Sequence, residues 1–528
     1  MYICITEIQS RKFRDINYVT NNIQQKQNYA AKSELRKTMG TDSIKDNQKD
    51  NSLKDKTAKG LFWGGLSNGV QQLLGLLFGI ILARLLSPTD YGMIAMIAVF
   101  SLIANELQNS GFRAALVNIK EPTHKDYNSV FWFNILMGGA LYAILFFCAP
   151  LIAGYYNTPE LTPLSRYAFL GFVFSSFGTA QMAFLHKNLL AKQMAKAGMT
   201  AVVVASGVGV IMAWSGCSYW SLATQTNLYI LINTLLMWHY SSWRPSFDFD
   251  FGPVRRMFRF SCKLLMSTIL NCINNNILNI LLGKYYTVQA AGYYNQAHQW
   301  NTKCFYLLQG MMLQVSQPVM VNVGDDKERR LRVLRKLVRF TSFISFPLLL
   351  GFGMVSNEFI IIAITEKWQE SAVLLQILCV SGAFMPIVTV LNNTILSRGR
   401  SDMYMWCTAI LGVLQIILMI LLADYGIRTM VITYTALAVM WVFVWHGCVN
   451  RLIGYSLFMF LRDTMPFAIS AAAVMSLTFV LTEAITNLYL LLFVRFITAA
   501  MLYFLIMKTA KVKILDECID FIRKRKKQ

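Results

Sequence analysis

The sequence predicts an all-α polytopic membrane protein of fourteen transmembrane helices with both termini in the cytoplasm. Three observations predict it. Hydrophobic residues make up 55% of the 528 and charged residues only 14%, with mean hydropathy +0.45, too apolar for a soluble chain. Apolar windows of bilayer-crossing length recur fourteen times, near 61–86, 91–110, 129–153, 164–185, 198–214, 218–238, 262–283, 301–321, 340–364, 371–396, 404–424, 427–449, 464–482 and 486–507. Basic residues sort to one side: with the N-terminus inside, all but Arg84, Arg166, Lys284, Lys303, Lys367, Arg428 and Arg495 fall in cytoplasmic tails and loops. The net charge of +22 therefore reflects membrane sorting, and nothing resembles a soluble basic face for nucleic acid.

Taken in order, residues 1–57 read as a disordered cytoplasmic tail, polar and rich in Lys, Gln and Asn. MYICIT is too short for a cleaved secretory signal, and Met39 offers a second possible start. Residues 58–250 hold spans one to six as an N-terminal lobe, 251–450 hold spans seven to twelve as a C-terminal lobe, and 451–507 hold spans thirteen and fourteen. Only Ser215, Gly216 and Cys217 divide spans five and six. Asp325–Arg339 predicts a short amphipathic helix on the membrane face, with Leu331, Leu334, Leu337 and Val338 on one side. The basic tail 508–528 repeats the pattern and ends RKRKK. Both suit anionic headgroups, or act only as positive-inside signals. The longest outside loop is expected at Gly283–Trp300, where Tyr285, Tyr286, Tyr293, Tyr294 and Trp300 form either a sugar-stacking mouth or an interfacial belt.

The seventh span, Cys262–Lys284, is anomalously polar. On a helical wheel Lys263, Ser267, Asn271, Asn274, Asn275 and Asn279 share one arc, and only Asn276 leaves it. An unpartnered amide in hydrocarbon costs several kcal/mol, so the stripe faces protein or a wet pathway. The first span carries a milder version in Ser67, Gln71, Gly75 and Gly79. The two align at an offset of 200 residues: Ser67, Ile80, Leu82 and Gly92 recur identically, Arg84 meets Lys284, and Gln71 meets Asn271. Two halves that each open with a polar-faced helix suit a transporter with a site between repeats.

KGLFWGGLSNGVQQLLGLLFGIILARLLSPTDYG, NSGFRAALVN and NILNILLGKYYTVQAAGYYNQA resemble the Wzx-type polysaccharide transporters of the MOP superfamily, across Lys59–Met507. The resemblance implies a two-lobed, fourteen-helix flippase of the bacterial inner membrane, working by alternating access through a central, often cationic cavity. It implies as cargo an undecaprenyl-diphosphate-linked oligosaccharide for O-antigen, capsule or exopolysaccharide synthesis, with other polysaccharide-assembly proteins as possible partners.

Flipping such a molecule requires amide and hydroxyl walls for sugars and cations for the diphosphate across about 30 Å of hydrocarbon. The expected lining is the two stripes, with Arg84, Lys284, Lys303 and, toward the cytoplasmic mouth, Lys263 and Arg113 as cations. Each is alternatively a snorkelling or capping residue. Gln314 and Gln317 share the face of Lys303, and Asn392, Asn393 and Arg398 are weaker lining candidates. Glu106, beside Asn105, Gln108 and Asn109, is a candidate for proton or sodium coupling, or a carboxylate satisfied by neighbouring helices. Arg495 is assigned to packing or lipid contact.

The ten cysteines and five histidines lie scattered, without metal spacing, and no cofactor, catalytic group or enzymatic motif is expected. The alternatives are a multidrug exporter of the same superfamily and, less favoured, a membrane polymerase or ligase of the same envelope pathway.

Overall fold

Long apolar runs can satisfy all their backbone groups in lipid only as helices, and the computed structural model is accordingly helical, with no strand among the described residues. It describes residues 63–109, 116, 122–248, 252–323, 326–512, 514–517 and 520, and only the backbone of 109, 253–268, 307, 318 and 322. The expected N-terminal tail, Met39, Arg113 and the RKRKK end lie outside the described residues.

The helices are α1 (Trp63–Leu85), α2 (Pro88–Asn109), α3 (His124–Tyr156), α4 (Leu161–Ala168), α5 (Leu170–Ser176), α6 (Thr179–Lys187), α7 (Ala191–Trp214) and α8 (Trp220–Tyr240). They continue as α9 (Gly252–Tyr285), α10 (Val288–Asn322), α11 (Lys327–Met354), α12 (Ser356–Ile364), α13 (Gln369–Gly382) and α14 (Met385–Ser397). The last four are α15 (Ser401–Leu421), α16 (Ile427–Ile453), α17 (Leu457–Leu481) and α18 (Leu488–Thr509). Among the described residues, ten helical stretches can cross a membrane by length and composition, and eleven if Leu161–Ser176 and Thr179–Lys187, bent by 43°, form one span. Three long helices outside that set, α8, α9 and α10, carry more polar residues.

Two expected features are corrected. Gly283–Trp300 is not a loop: α9 and α10 are separated only by Tyr286 and Thr287, and the Thr287 hydroxyl caps α10 by accepting from the Ala290 amide at 3.1 Å. Tyr294 and Trp300 are consequently buried in the core, not at a mouth or in a belt. Nor is the expected amphipathic segment, described from Asp326 to Arg339, a separate surface helix. With no breaker before Phe340, the helix that Asp326 caps runs on as α11 to Met354, since propagation adds a hydrogen bond per residue.

The offset of 200 reappears in the backbone. α1 ends at Leu85 and α2 begins at Pro88; α9 ends at Tyr285 and α10 begins at Val288. α2 and α10 then cross at equivalent glycines. A Cβ on Gly92 would lie 1.8 Å from the Val288 carbonyl oxygen, and one on Gly292 would lie 1.8 Å from that of Pro88. Only glycine permits backbones this close. The large core cluster spans this crossing, joining Leu82 and Tyr91 to Leu282, Tyr294, Trp368 and the helices from α11 to α18.

Candidate functional site

The crossing closes one end of the structure, and polar atoms reinforce the closure. Arg84, at the end of α1, donates to the carbonyls of Ile362 and Ala363 at 2.6 and 2.7 Å, in the last turn of α12. Lys284, its offset equivalent on α9, donates to the Tyr155 carbonyl at 2.6 Å in the last turn of α3 and sits 4.6 Å above the Tyr155 ring. Both satisfy carbonyls that a helix C-terminus leaves without partners, where the helix dipole favours a cation. Trp368 adds a 2.8 Å bond to the Ala83 carbonyl, and Lys367 a 2.6 Å bond to that of Arg84. Each bond joins the first half of the chain to the second.

Away from the crossing, one face of α1 is left uncovered. Nothing lies within 4 Å of a Cβ built on Gly64, Gly65, Gly69 or Gly75. Lys303 on α10 reaches toward α1. Its Nζ is 3.9 Å from the Cβ position of Gly79 on α1 and 4.7 Å from the Trp300 ring centroid, and its side chain is exposed. Gln314 and Gln317 are exposed on the same face of α10, and Asn275 is exposed on α9. Glu106, half-buried on α2, is an electrostatic neighbour of Cys272 on α9. Lys303 and Glu106 thus each have a neighbour in the other half of the chain.

The rest of the two stripes turns elsewhere. Gln71 donates to Ser67 at 2.8 Å and packs on Gly198 of α7, where a Cβ would come within 3.0 Å of the amide. Its counterpart region does the same in the second half: Asn274 donates to the Thr408 carbonyl on α15 at 2.7 Å and fills the space a Gly412 side chain would need, and Tyr404 donates to Asn271 at 3.3 Å. Asn279 is buried and Asn276 bonds its own helix at Cys272. Ser67 and Gln71 instead line a cavity of about 610 Å³ among α1, α6, α7 and α8, with Asn68, His186 and Asn233. Lys263 and Ser267 lie in the stretch described by backbone alone. Asn393 bonds Ser316 at 2.6 Å, and Gln309 bonds Thr389 at 3.1 Å, so these amides zip α10 to α14.

Two buried acids that sequence reasoning passed over pair with cations on other helices. Asp463, fully buried on α17, accepts from Arg335, Arg339 and Tyr455. Glu358 on α12 pairs with Arg495 on α18 at 2.7 Å, both nearly inaccessible. Arg495 is therefore not a lone charge: it ties the final helix to α12. The available signal was an acid inside an apolar window, which requires a partner. No group of three His, Cys, Asp or Glu side chains among the described residues is placed to hold a metal ion.

Residues 81–373 match the polysaccharide biosynthesis protein family. The lipopolysaccharide biosynthesis protein WzxC of Escherichia coli K12 is 27% identical over 357 residues, covering 66% of this chain and 72% of that one. The teichuronic acid biosynthesis protein TuaB of Bacillus subtilis 168 is 25% identical, over 76% of this chain and 82% of its own, and the succinoglycan biosynthesis transport protein ExoT of Rhizobium meliloti 22%, over 73% and 76%. Among solved structures, the lipid II flippase MurJ in an inward closed conformation superposes with TM-score 0.68 at 14% identity, over 86% of this chain and 99% of that one. An inward-facing multidrug resistance MATE transporter of the MOP superfamily gives 0.58 at 14%, over 73% and 96%. These likenesses and the apolar helices make it a multi-pass inner-membrane protein with a MurJ- and MATE-like fold. The chain belongs to the polysaccharide biosynthesis protein family.

Proposed function

We propose that the protein flips an undecaprenyl-diphosphate-linked oligosaccharide from the inner to the outer leaflet by alternating access, as a transporter and not an enzyme. The observation that carries this reading is the exposed Lys303 ammonium, held against Gly79 at the division between the halves. It is a cation where a diphosphate must pass, with Asn275, Gln314 and Gln317 available to sugar hydroxyls. Adding α8, α9 and α10 to the eleven apolar spans gives fourteen, with both termini cytoplasmic, lobes at 58–250 and 251–450, and the glycine crossing on the outer side. In that orientation the structure is closed outward. Arg84 and Lys284 then work as an outer clasp, and Glu106 as the coupling carboxylate.

The test is deletion in the host followed by an assay of which leaflet holds the lipid-linked intermediate. Accumulation in the inner leaflet, relieved by the wild-type gene and not by Lys303→Gln, is expected; normal outward movement with a later polymerisation failure would overturn the reading. The multidrug reading predicts instead drug sensitivity on deletion with polysaccharide unchanged.

A further inference from the structure

Among α10, α11, α17 and α18 runs an apolar groove of about 490 Å³, whose walls include Cys304, Phe343, Pro347, Phe496, Ala500 and Met507. The one phenol in it, Tyr503, donates to the Phe343 carbonyl at 2.9 Å, so the walls offer a ligand almost nothing but hydrocarbon. The groove begins where α11 turns from charged to apolar. On the helical wheel Arg332, Lys336 and Arg339 lie within about 40° of Phe343, and Arg339 is about 6 Å below it along the axis.

These cations are held in place and undercompensated. Asp463 accepts from Arg335 at 2.8 Å and from Arg339 at 2.5 Å, yet the two side chains remain 26% and 40% exposed. Lys336 pairs with Glu517 at 2.6 Å, both well exposed. Four basic residues thus meet two carboxylates, while at the end of α18 and just beyond it Lys508 and Lys511 offset Asp516 and Asp520. Asp463 takes only Nε of Arg339 among its nitrogens, leaving the outer Nη edge of that guanidinium to a second anion. Tying both guanidiniums to one buried carboxylate removes the side-chain entropy that binding would otherwise cost.

We propose that this groove and its rim bind one anionic glycerophospholipid, with an acyl chain along α11 and the phosphate on Arg339 and Lys336. The apolar walls select a lipid over a soluble phosphate, and the excess positive charge selects an anionic over a zwitterionic headgroup. The site is separate from Lys303 and stands whether or not the flippase reading holds.

The full-length protein, purified free of lipid, would be titrated with phosphatidylglycerol or phosphatidylcholine of identical chains and read by native mass spectrometry. About tenfold preference for phosphatidylglycerol is expected, lost in Lys336→Gln/Arg339→Gln. Ala500→Trp, on the exposed groove wall, should remove both lipids. Should loss of Arg339 alone disturb folding, Asp463→Asn/Arg339→Gln removes the cation without stranding a buried charge. Equal retention of the two lipids, unchanged binding in Ala500→Trp, or capture of a polyprenyl diphosphate without phosphatidylglycerol would each overturn the proposal.

Discussion

Gly92 and Gly292 each lie against the backbone of the helix that carries the other, so that a methyl group on either would overlap a carbonyl oxygen, of Val288 or Pro88. Gly92→Ala or Gly292→Ala must therefore push α2 from α10. Each variant is expected to abolish polysaccharide export while retaining at least half of wild-type abundance, and to raise the labelling rate of a cysteine placed beside the crossing from the outer side. Unchanged export in Gly92→Ala would show that the crossing yields without consequence.

The clasp makes a second prediction. Arg84→Gln and Lys284→Gln each free carbonyls at a helix C-terminus in the opposite half, which water can solvate when the end opens. The two variants are expected to shift the labelling pattern the same way, and the double variant further. Opposite shifts would rule out a common latch.

Lys303 separates charge from shape. Lys303→Arg keeps a cation able to grip phosphate and should retain a substantial share of transport, whereas Lys303→Gln should lose it by about tenfold or more at normal abundance, the loss of one charge-assisted contact. Equal activity of the Gln and Arg variants in the leaflet assay would remove the ammonium from the pathway.

Neighbouring asparagines on α9 should behave differently. Asn275→Leu alters an exposed residue and should leave abundance intact while reducing transport; Asn274→Leu removes a buried side-chain bond to the Thr408 carbonyl and crowds Gly412, costing about 1–3 kcal/mol and lowering the melting temperature in detergent. Similar melting temperatures for the two would contradict the burial assignment.

Arg495→Met leaves the Glu358 carboxylate buried without its partner, a loss of about 3–5 kcal/mol. Glu358→Leu/Arg495→Met, which removes both charges, should recover most of the thermal stability. A double variant no better than the single would indicate that Thr482, which accepts from Arg495 at 3.1 Å, matters as much as the acid.

Hydropathy located the helices because bilayer thickness imposes a length on each, and the register of 200 residues was visible in Arg84, Lys284, Gly92 and Gly292. The sequence could not show where the polar stripes point. A wheel groups Asn271, Asn274, Asn275 and Asn279 on one arc, but a wide arc can face a neighbour at one edge and open space at the other, and Asn274 and Asn275 divide in this way. Helix breaks were also hidden: the tyrosine-rich Gly283–Trp300 looked loop-like, although Thr287 alone suffices to restart a helix. Charge pairing between distant segments, as in Arg335 with Asp463, depends on tertiary packing that spacing along the chain does not encode.

The two cations of the clasp have a consequence beyond closure. Arg84 caps a helix in the second half, and Lys284 caps a helix in the first, so equivalent positions each present a cation to a helix end of the other half. Such an interface is self-complementary in the sense of a two-fold dimer. A pairing of this kind, each half capping a helix of the other, is what a homodimeric ancestor supplies before its gene is duplicated and fused.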